Sequence, residues 1–232
     1  MKKTVLFVAA LFISTLSFAQ TAEEVINNYV TAIGGKDAIS KIKDLSMTFT
    51  GEAQGANLEI LIQKKAPNKF LQSVSVTGMG EVQKQVCDGT KVRASGMQGS
   101  EDITDAEKVK AVAMQAVIVP ESEYGTMGAK LTYVGKEKVN NADAHKIDVT
   151  IGTVKMTEFY DVASGMKVRQ VITAETPMGS QTITSDYTDY KIVNGVMFAH
   201  KLNQDLGMMQ LALSASKVEA NTNLADSLFE IK

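Results

Sequence analysis

LSMTFTGEAQGANLEILIQKKAPNKFLQSVSV, residues 45–76, decides how this chain folds. Leu45, Met47 and Phe49 alternate with polar neighbours, then Leu58, Ile60 and Ile62 do so, then Phe70, Gln72, Val74 and Val76. A period of two places every second side chain on one face, so each run reads as a half-buried strand. Glycine, asparagine and Pro67-Asn68 separate the runs, and such short connections make neighbouring strands antiparallel. Val82–Val86 and Lys91–Ala94 continue the pattern as a hairpin through Asp88-Gly89.

The same signal recurs downstream. Leu131–Val134, Lys146–Ile151, Val154–Val162, Met166–Thr173, Gln181–Tyr190, Val196–Leu206 and Met208–Val218 read as strands, with turns at Gly152-Thr153, Ala163-Ser164-Gly165 and Asn194-Gly195. A meander of about 11–12 strands is too long for a flat open sheet, so it should curl towards a barrel. The fold class is mainly β (α+β). No stretch has the composition of a linker, and residues 20–232 read as a single domain.

Helical spacing is confined to two places. Thr21-Ala22-Glu23-Glu24 has the Ser/Thr-x-x-Glu spacing of a capping box, and Val25, Ile26, Tyr29, Val30 and Ile33 follow on one helical face until Gly34-Gly35. A short further turn, Asp37–Lys43, carries Ile39 and Ile42. The second place is an insertion spanning about 96–130. Thr104-Asp105-Ala106-Glu107 repeats the capping spacing, and Ala106, Val109, Val112, Ala113, Met114, Ala116 and Val117 form an apolar stripe ending before Pro120. Gly96, Gly99, Gly125 and Gly128 flank it with loops that suit a lid-like helix moving relative to the strands.

Composition limits what the chain does. Lys2 and Lys3 precede an apolar run from Val5 to Phe18 and then Ser17-Phe18-Ala19, so residues 1–19 read as a signal peptide cleaved after Ala19. Removing Lys2 and Lys3 leaves 22 basic against 26 acidic residues and a net charge of about −4, which argues against nucleic acid. Cys87 is the only cysteine, so no internal disulfide forms. No cysteine directly follows the apolar run, so a lipid anchor is not expected; a periplasmic location in a Gram-negative cell is.

No Gly-x-Ser-x-Gly, His-Glu-x-x-His, phosphate-loop or dinucleotide pattern is present, and one Cys with His145 and His200 cannot make a zinc centre. The chain is therefore expected to be no enzyme and to use no cofactor or metal. His145, after Asn140-Asn141 and Asp143, reads as a solvated turn residue. His200 shares the parity of Phe198 and reads as hydrogen-bonded structure. Glu101, Asp102, Asp105 and Glu107 at the start of the inserted helix, with Glu121 and Glu123 after it, read as carboxylates favoured by the positive helix N-terminus and not as a calcium site. Cys87, beside Asp88, reads as packing. Methionine carries more information: 12 Met include Met97, Met114 and Met127 in or beside the insertion and Met178, Met208 and Met209 at strand ends. Their flexible, polarizable side chains suit a surface that adapts to varied apolar shapes, or ordinary core filling.

Several segments, taken in order, resemble the LolA/LolB-like family of periplasmic lipoprotein carriers, in the broad sense that includes outer-membrane lipoprotein-sorting proteins. They are VINNYVTAIGGKDAISKIKDLSMTFTG from Val25, KAPNKF from Lys65, CDGTKV from Cys87, YVGKEKVNNADAHKIDV from Tyr133, FYDVASGMKVRQV from Phe159, YTDYKIVNGVMFAHKL from Tyr187 and the terminal LADSLFEIK. Ala199 departs from the proline usual in that family's NGVMF strand. The resemblance implies an unclosed antiparallel barrel wrapped over helices, an apolar cavity for acyl chains and a helical lid. It implies a non-enzymatic carrier or sensor of a lipid, lipoprotein acyl chain or other hydrophobic ligand, with a membrane-bound donor or acceptor partner. A monomer is expected. Candidate cavity and lid residues are Met97, Val109, Val112, Met114, Val117 and Met127, with Arg93 as a latch on the lid. The alternative is an envelope protein-interaction or assembly module whose barrel is filled by its own side chains.

Overall fold

The first helix is set by its own ends. In the computed structural model, which describes residues 20–176, 179–207 and 209–231, α1 spans Ala22–Ala32. The Thr21 hydroxyl accepts from the Glu24 N–H at 3.2 Å and the Glu24 carboxylate accepts from the Thr21 N–H at 3.0 Å, closing the capping box read from the sequence. Gly34, at φ +130°, ends the helix so close to β-sheet backbone that a Cβ there would lie 2.3 Å from the Gly195 carbonyl oxygen. A short α2, Lys36–Ile39, follows. Residues 1–19, expected to be a signal peptide, and Met178 and Met208 lie outside the described residues.

Thirteen strands among the described residues make one antiparallel sheet: β1 Asp44–Ala53, β2 Ala56–Lys65, β3 Lys69–Val76, β4 Gly80–Cys87, β5 Val92–Gly96, β6 Gly99–Ile103, β7 Lys130–Val139, β8 Ala142–Ile151, β9 Val154–Asp161, β10 Lys167–Thr176, β11 Gly179–Val193, β12 Val196–Asp205 and β13 Gln210–Ala220. Their order is β6-β5-β4-β3-β2-β1-β13-β12-β11-β10-β9-β8-β7. The chain thus starts in the middle of the sheet, runs out to one edge at β6, crosses to the other edge at β7, and returns to close beside β1. The crossover is the insertion, which contains α3 (Ala106–Ala113), 3₁₀ turns at Met114–Ala116 and Pro120–Glu123, and Tyr124. Register shifts at Thr48/Phe49, Val74/Ser75, Tyr133/Gly135 and Lys167/Arg169 mark bulges, which bend strands and let the open sheet curl.

The strand missing from the sequence reading is β6. Gly99-Ser100-Glu101-Asp102-Ile103 has no apolar alternation because it is an exposed edge, held by backbone pairing to β5 and by the Arg93–Asp102 pair. Two further readings change. The N-cap of α3 is Asp105, not Thr104, its carboxylate accepting from the Lys108 N–H at 3.0 Å. His145 is a buried residue of β8 whose Nδ1 lies 3.2 Å from the Tyr133 hydroxyl oxygen, since alternation along β8 carries it inside the fold. Cys87 is fully buried, in the packing role expected of it.

Four apolar clusters bear on how the parts are held. Val25, Ile26, Tyr29, Val30 and Ile33 of α1 pack on Ile147, Val149, Tyr160, Val196 and Phe198, with Val119 and Tyr124 of the crossover above them. Val109 and Ala116 pack on Phe70, Cys87 and Val92. Phe49, Leu58, Ile60, Leu211 and Leu213 form the third, on the strands at the centre of the sheet. On the other side of β3 and β4, Phe229 near the C-terminus packs against Leu71 and Val86, and Lys65 and Lys69 pair with Asp226 at 2.7 and 3.0 Å.

Candidate functional site

Between α1, the crossover and the inner face of the sheet lies a cavity of about 550 Å³. Its volume falls in the roughly 300–1,000 Å³ range of small-molecule sites. β1–β3 contribute Met47, Phe49, Ile62 and Phe70; the crossover contributes Ala111, Met114, Ile118 and Met127; the far strands contribute Ile151, Met156, Ile172, Met197 and Leu202. Five of these apolar residues are methionines, whose side chains adapt to irregular shapes. A wider hollow of about 720 Å³ at the turn end of β1–β3 is lined largely by Thr50, Glu52, Asn57, Glu59, Ser75 and Thr77, is open to solvent, and offers no enclosure for an apolar group.

One wall of the cavity is polar. Lys167 on β10 is paired with Glu121 of the crossover and with Glu158 of β9, the latter at 3.5 Å. Glu158 is fully buried, and its carboxylate also accepts from the hydroxyls of Tyr124 at 2.9 Å and Tyr160 at 2.6 Å and from the Gln170 amide at 3.0 Å. Tyr187 donates to the Gln170 carbonyl at 3.3 Å and Tyr190 donates to the Lys167 backbone carbonyl at 2.7 Å. The Lys167 ammonium lies 6.0 Å from the Tyr29 ring centroid and 5.1 Å from that of Tyr187. Burial opposes its charge, yet Glu121 and Glu158 hold its pKa well above the ordinary lysine value. Burial raises the hydroxyl pKa values of Tyr29, Tyr124, Tyr160, Tyr187 and Tyr190, with the nearby carboxylates adding to the effect, so these phenols stay neutral donors. No buried side-chain nitrogen or oxygen among the described residues lacks a hydrogen-bond partner.

Lys64, near the end of β2, also lines the cavity. Its ammonium donates to the Val117 backbone carbonyl at 3.0 Å, tying β2 to the crossover. Burial lowers its pKa from 10.5 to about 8, with Lys167 adding to the fall and Glu121 opposing it. The described lining includes no His, Cys, Ser or Thr that would serve as base or nucleophile.

The sequence-derived candidates separate into groups. Met114 and Met127 line the cavity. Val117 touches the site through its carbonyl. Val109 is buried against Phe70, Cys87 and Val92, and Val112 packs beside it, so this face of α3 meets the sheet. Met97 is 76% exposed at the β5–β6 turn. Arg93 makes a bidentate pair with Asp102 at 2.6 and 2.9 Å, which keeps the Asp102 carboxyl well below its usual range; both residues sit on the β5–β6 hairpin. Glu121, one of the carboxylates grouped around the inserted helix, is buried. Lys64, Glu121, Glu158 and Lys167 were not singled out as site residues, although alternation through Leu58, Ile60 and Ile62 reaches Lys64 on the same face.

Solved structures share the architecture. The crystal structure of a LolA superfamily protein from Nitrosomonas europaea matches 92% of this chain and 99% of its own, with TM-score 0.59 and 13% identity. A domain from Vibrio parahaemolyticus named for outer membrane lipoprotein sorting matches over 90% and 96%, with TM-score 0.58 and 10% identity. A DUF1329 family protein from Desulfovibrio piger matches over 91% and 98%, with TM-score 0.57 and 8% identity. No protein-family model matches the sequence, and no curated protein is significantly similar to it.

Proposed function

The fold is LolA-like, and from that premise we propose that the protein is a non-enzymatic periplasmic carrier or sensor for a lipid, a lipoprotein acyl chain or a similar hydrophobic ligand. The observation that carries this is the cavity of about 550 Å³ between the crossover and the sheet, lined mainly by Met, Ile, Leu and Phe. Such a cavity weighs against a barrel filled by its own side chains. Transfer of one methylene out of water is worth about 0.8 kcal/mol, so a dozen sequestered methylenes contribute on the order of 10 kcal/mol before ordering costs. Binding by burial is non-directional, which suits a carrier that must also release its cargo. The names of the structural relatives, LolA superfamily and lipoprotein sorting, agree with this reading. The chain's amino-terminal 19 residues supply the export signal, and no helix among the described residues is long and apolar enough to cross a membrane.

Solvent extraction and mass spectrometry of protein purified from its native envelope test the reading, with co-purifying single-chain or acylated lipid expected. Met114→Asp places a carboxylate on the apolar wall of the cavity and should reduce uptake of a fluorescent fatty acid at least tenfold. Val112→Asp, packed on the Phe70–Val92 cluster, should chiefly lower the melting temperature. Absence of lipid after extraction, together with no uptake by the wild-type protein, overturns the proposal.

A further inference from the structure

Lys64 is out of place by every rule that shaped its row. Pairing aligns Leu45, Lys64, Phe70, Cys87, Val92 and Ile103 across β1 to β6. Apart from Lys64 the row is apolar, and it faces the inside of the curl. Of the two ammonium groups among the described residues lining the cavity, Lys167 is held by two carboxylates, whereas Lys64 is held by a single carbonyl. An ammonium has three donors, so the Val117 contact leaves two to offer. A half-buried cation without a carboxylate in contact is costly as structure and marks a candidate functional position.

We propose that Lys64 anchors the carboxylate of a single-chain amphiphile whose tail fills the cavity. This rests on the hydrophobic-carrier reading and names the chemical class of its ligand. One ammonium matches one monoanionic headgroup. The volume matches one chain: at about 30 Å³ per methylene-sized group, a water's share of the liquid, 550 Å³ accommodates roughly 18 such groups. No other carboxylate is in contact with Lys64: Glu158 is saturated by two tyrosines, Gln170 and Lys167, and Glu121, whose charge is felt at Lys64, is paired with Lys167. The Val117 carbonyl belongs to the crossover, so ligand at Lys64 lies directly against the segment that covers it.

Ionisation of Lys64 near pH 8 gives the contact a pH signature. The groups facing it are Glu121 of the crossover, Glu158 of β9, Lys167 of β10, and the hydroxyls of Tyr29, Tyr124, Tyr187 and Tyr190, whose raised values keep them neutral up to pH 9. A fatty carboxylate is ionised throughout, with an ordinary value of about 4.3 for such a group. Its affinity should therefore fall about tenfold from pH 7 to pH 9 as Lys64 loses its proton.

The test is fluorescence titration of delipidated protein with cis-parinaric acid and with its methyl ester. Wild-type protein should bind the acid at least tenfold more tightly than the ester at pH 7. Lys64→Met should abolish that preference while keeping ester affinity, and Lys64→Arg should retain it. If Lys64→Met fails to fold, Lys64→Arg and the wild-type pH profile carry the test. Equal binding of acid and ester by the wild type, unchanged in Lys64→Met, overturns the anchor and leaves the carrier reading standing. Binding of neither probe overturns both.

Discussion

α1 and the crossover helix α3 both lie on the sheet, but they are held differently. Five residues of α1 are buried, its N-terminus is closed by a reciprocal cap, and its end is tied to β12 by the Met197 N–H donating to the Ile33 carbonyl at 2.8 Å. Within α3 only Val109 is buried, the cap is a single Asp105 bond, and the helix connects two sheet edges that do not pair with each other. Displacing α3 breaks no strand pair and uncovers one buried residue, whereas displacing α1 breaks its backbone bond to β12 and uncovers five.

The largest expected effect comes from the place where the two regions meet. Lys167 joins Glu121 of the crossover to Glu158 of the sheet and lies over the Tyr29 ring of α1. Lys167→Met leaves two buried carboxylates without their cation and should destabilise by about 3–5 kcal/mol in urea denaturation. A loss below about 1 kcal/mol would show that the network does not join the parts.

Gly34→Ala should come next. At φ +130°, with the Gly195 oxygen 2.3 Å from the new Cβ, the α1 end cannot accept a side chain without shifting β12. A cost of about 3 kcal/mol is expected. Gly125 in the crossover has open space around it, and Gly125→Ala should fall within about 0.5 kcal/mol of wild type. Similar losses for both would erase the contrast between the close-packed end of α1 and the open turn at Gly125.

How much of this contrast the amino-acid sequence carried depends on the residue. The α1 boundaries were legible because Thr21, Glu24 and Gly34-Gly35 act locally, within four residues of the atoms they satisfy. Alternation exposed twelve strands, and β6 escaped because an edge held by backbone bonds needs no apolar face. The polar wall was illegible for a different reason. Glu121 and Lys167 are 46 residues apart, and only the order of the strands brings them together. A glutamate just after a helix gives no sign of burial until its partner is known. Lys64 was closer to legible, since its parity is that of Ile60 and Ile62, but a lysine at the end of a strand ordinarily marks the start of solvent.

A matched pair sharpens the comparison further. Val30 and Val109 are each nearly fully buried, one on each helix. Val30→Ala should cost about 2 kcal/mol, from two lost methyl groups and a cavity that pinned surroundings cannot close. Val109→Ala should cost about 1 kcal/mol, because α3 can settle into the space. Hydrogen exchange reads the same difference in the wild type, with α3 amides exchanging well before those of α1. Equal protection of the two helices would contradict the contrast.

The smallest effect is one of pH, and it belongs to the α1 side alone. His145 on β8 is buried beside Tyr133, and burial, aided by the charge of Lys136 and opposed by Asp161, lowers its pKa below the ordinary 6.5. The folded chain therefore takes up this proton at lower pH than the unfolded chain. Stability rises with pH wherever the unfolded state holds more protons, so this contribution is complete above about pH 6.5 and is lost as pH falls through that value towards the lower native one. His145→Phe keeps a ring against Tyr133 and removes the titration. Between pH 7.5 and pH 5.5 the wild type should lose more unfolding free energy than His145→Phe, with protection falling first in β7 and β8. His200, the other histidine, is half-buried with Nδ1 2.9 Å from the Phe198 carbonyl oxygen, and serves as the internal control when replaced by Gln. Equal losses in wild type and His145→Phe would show that the imidazole does not set the acid response of the packed half.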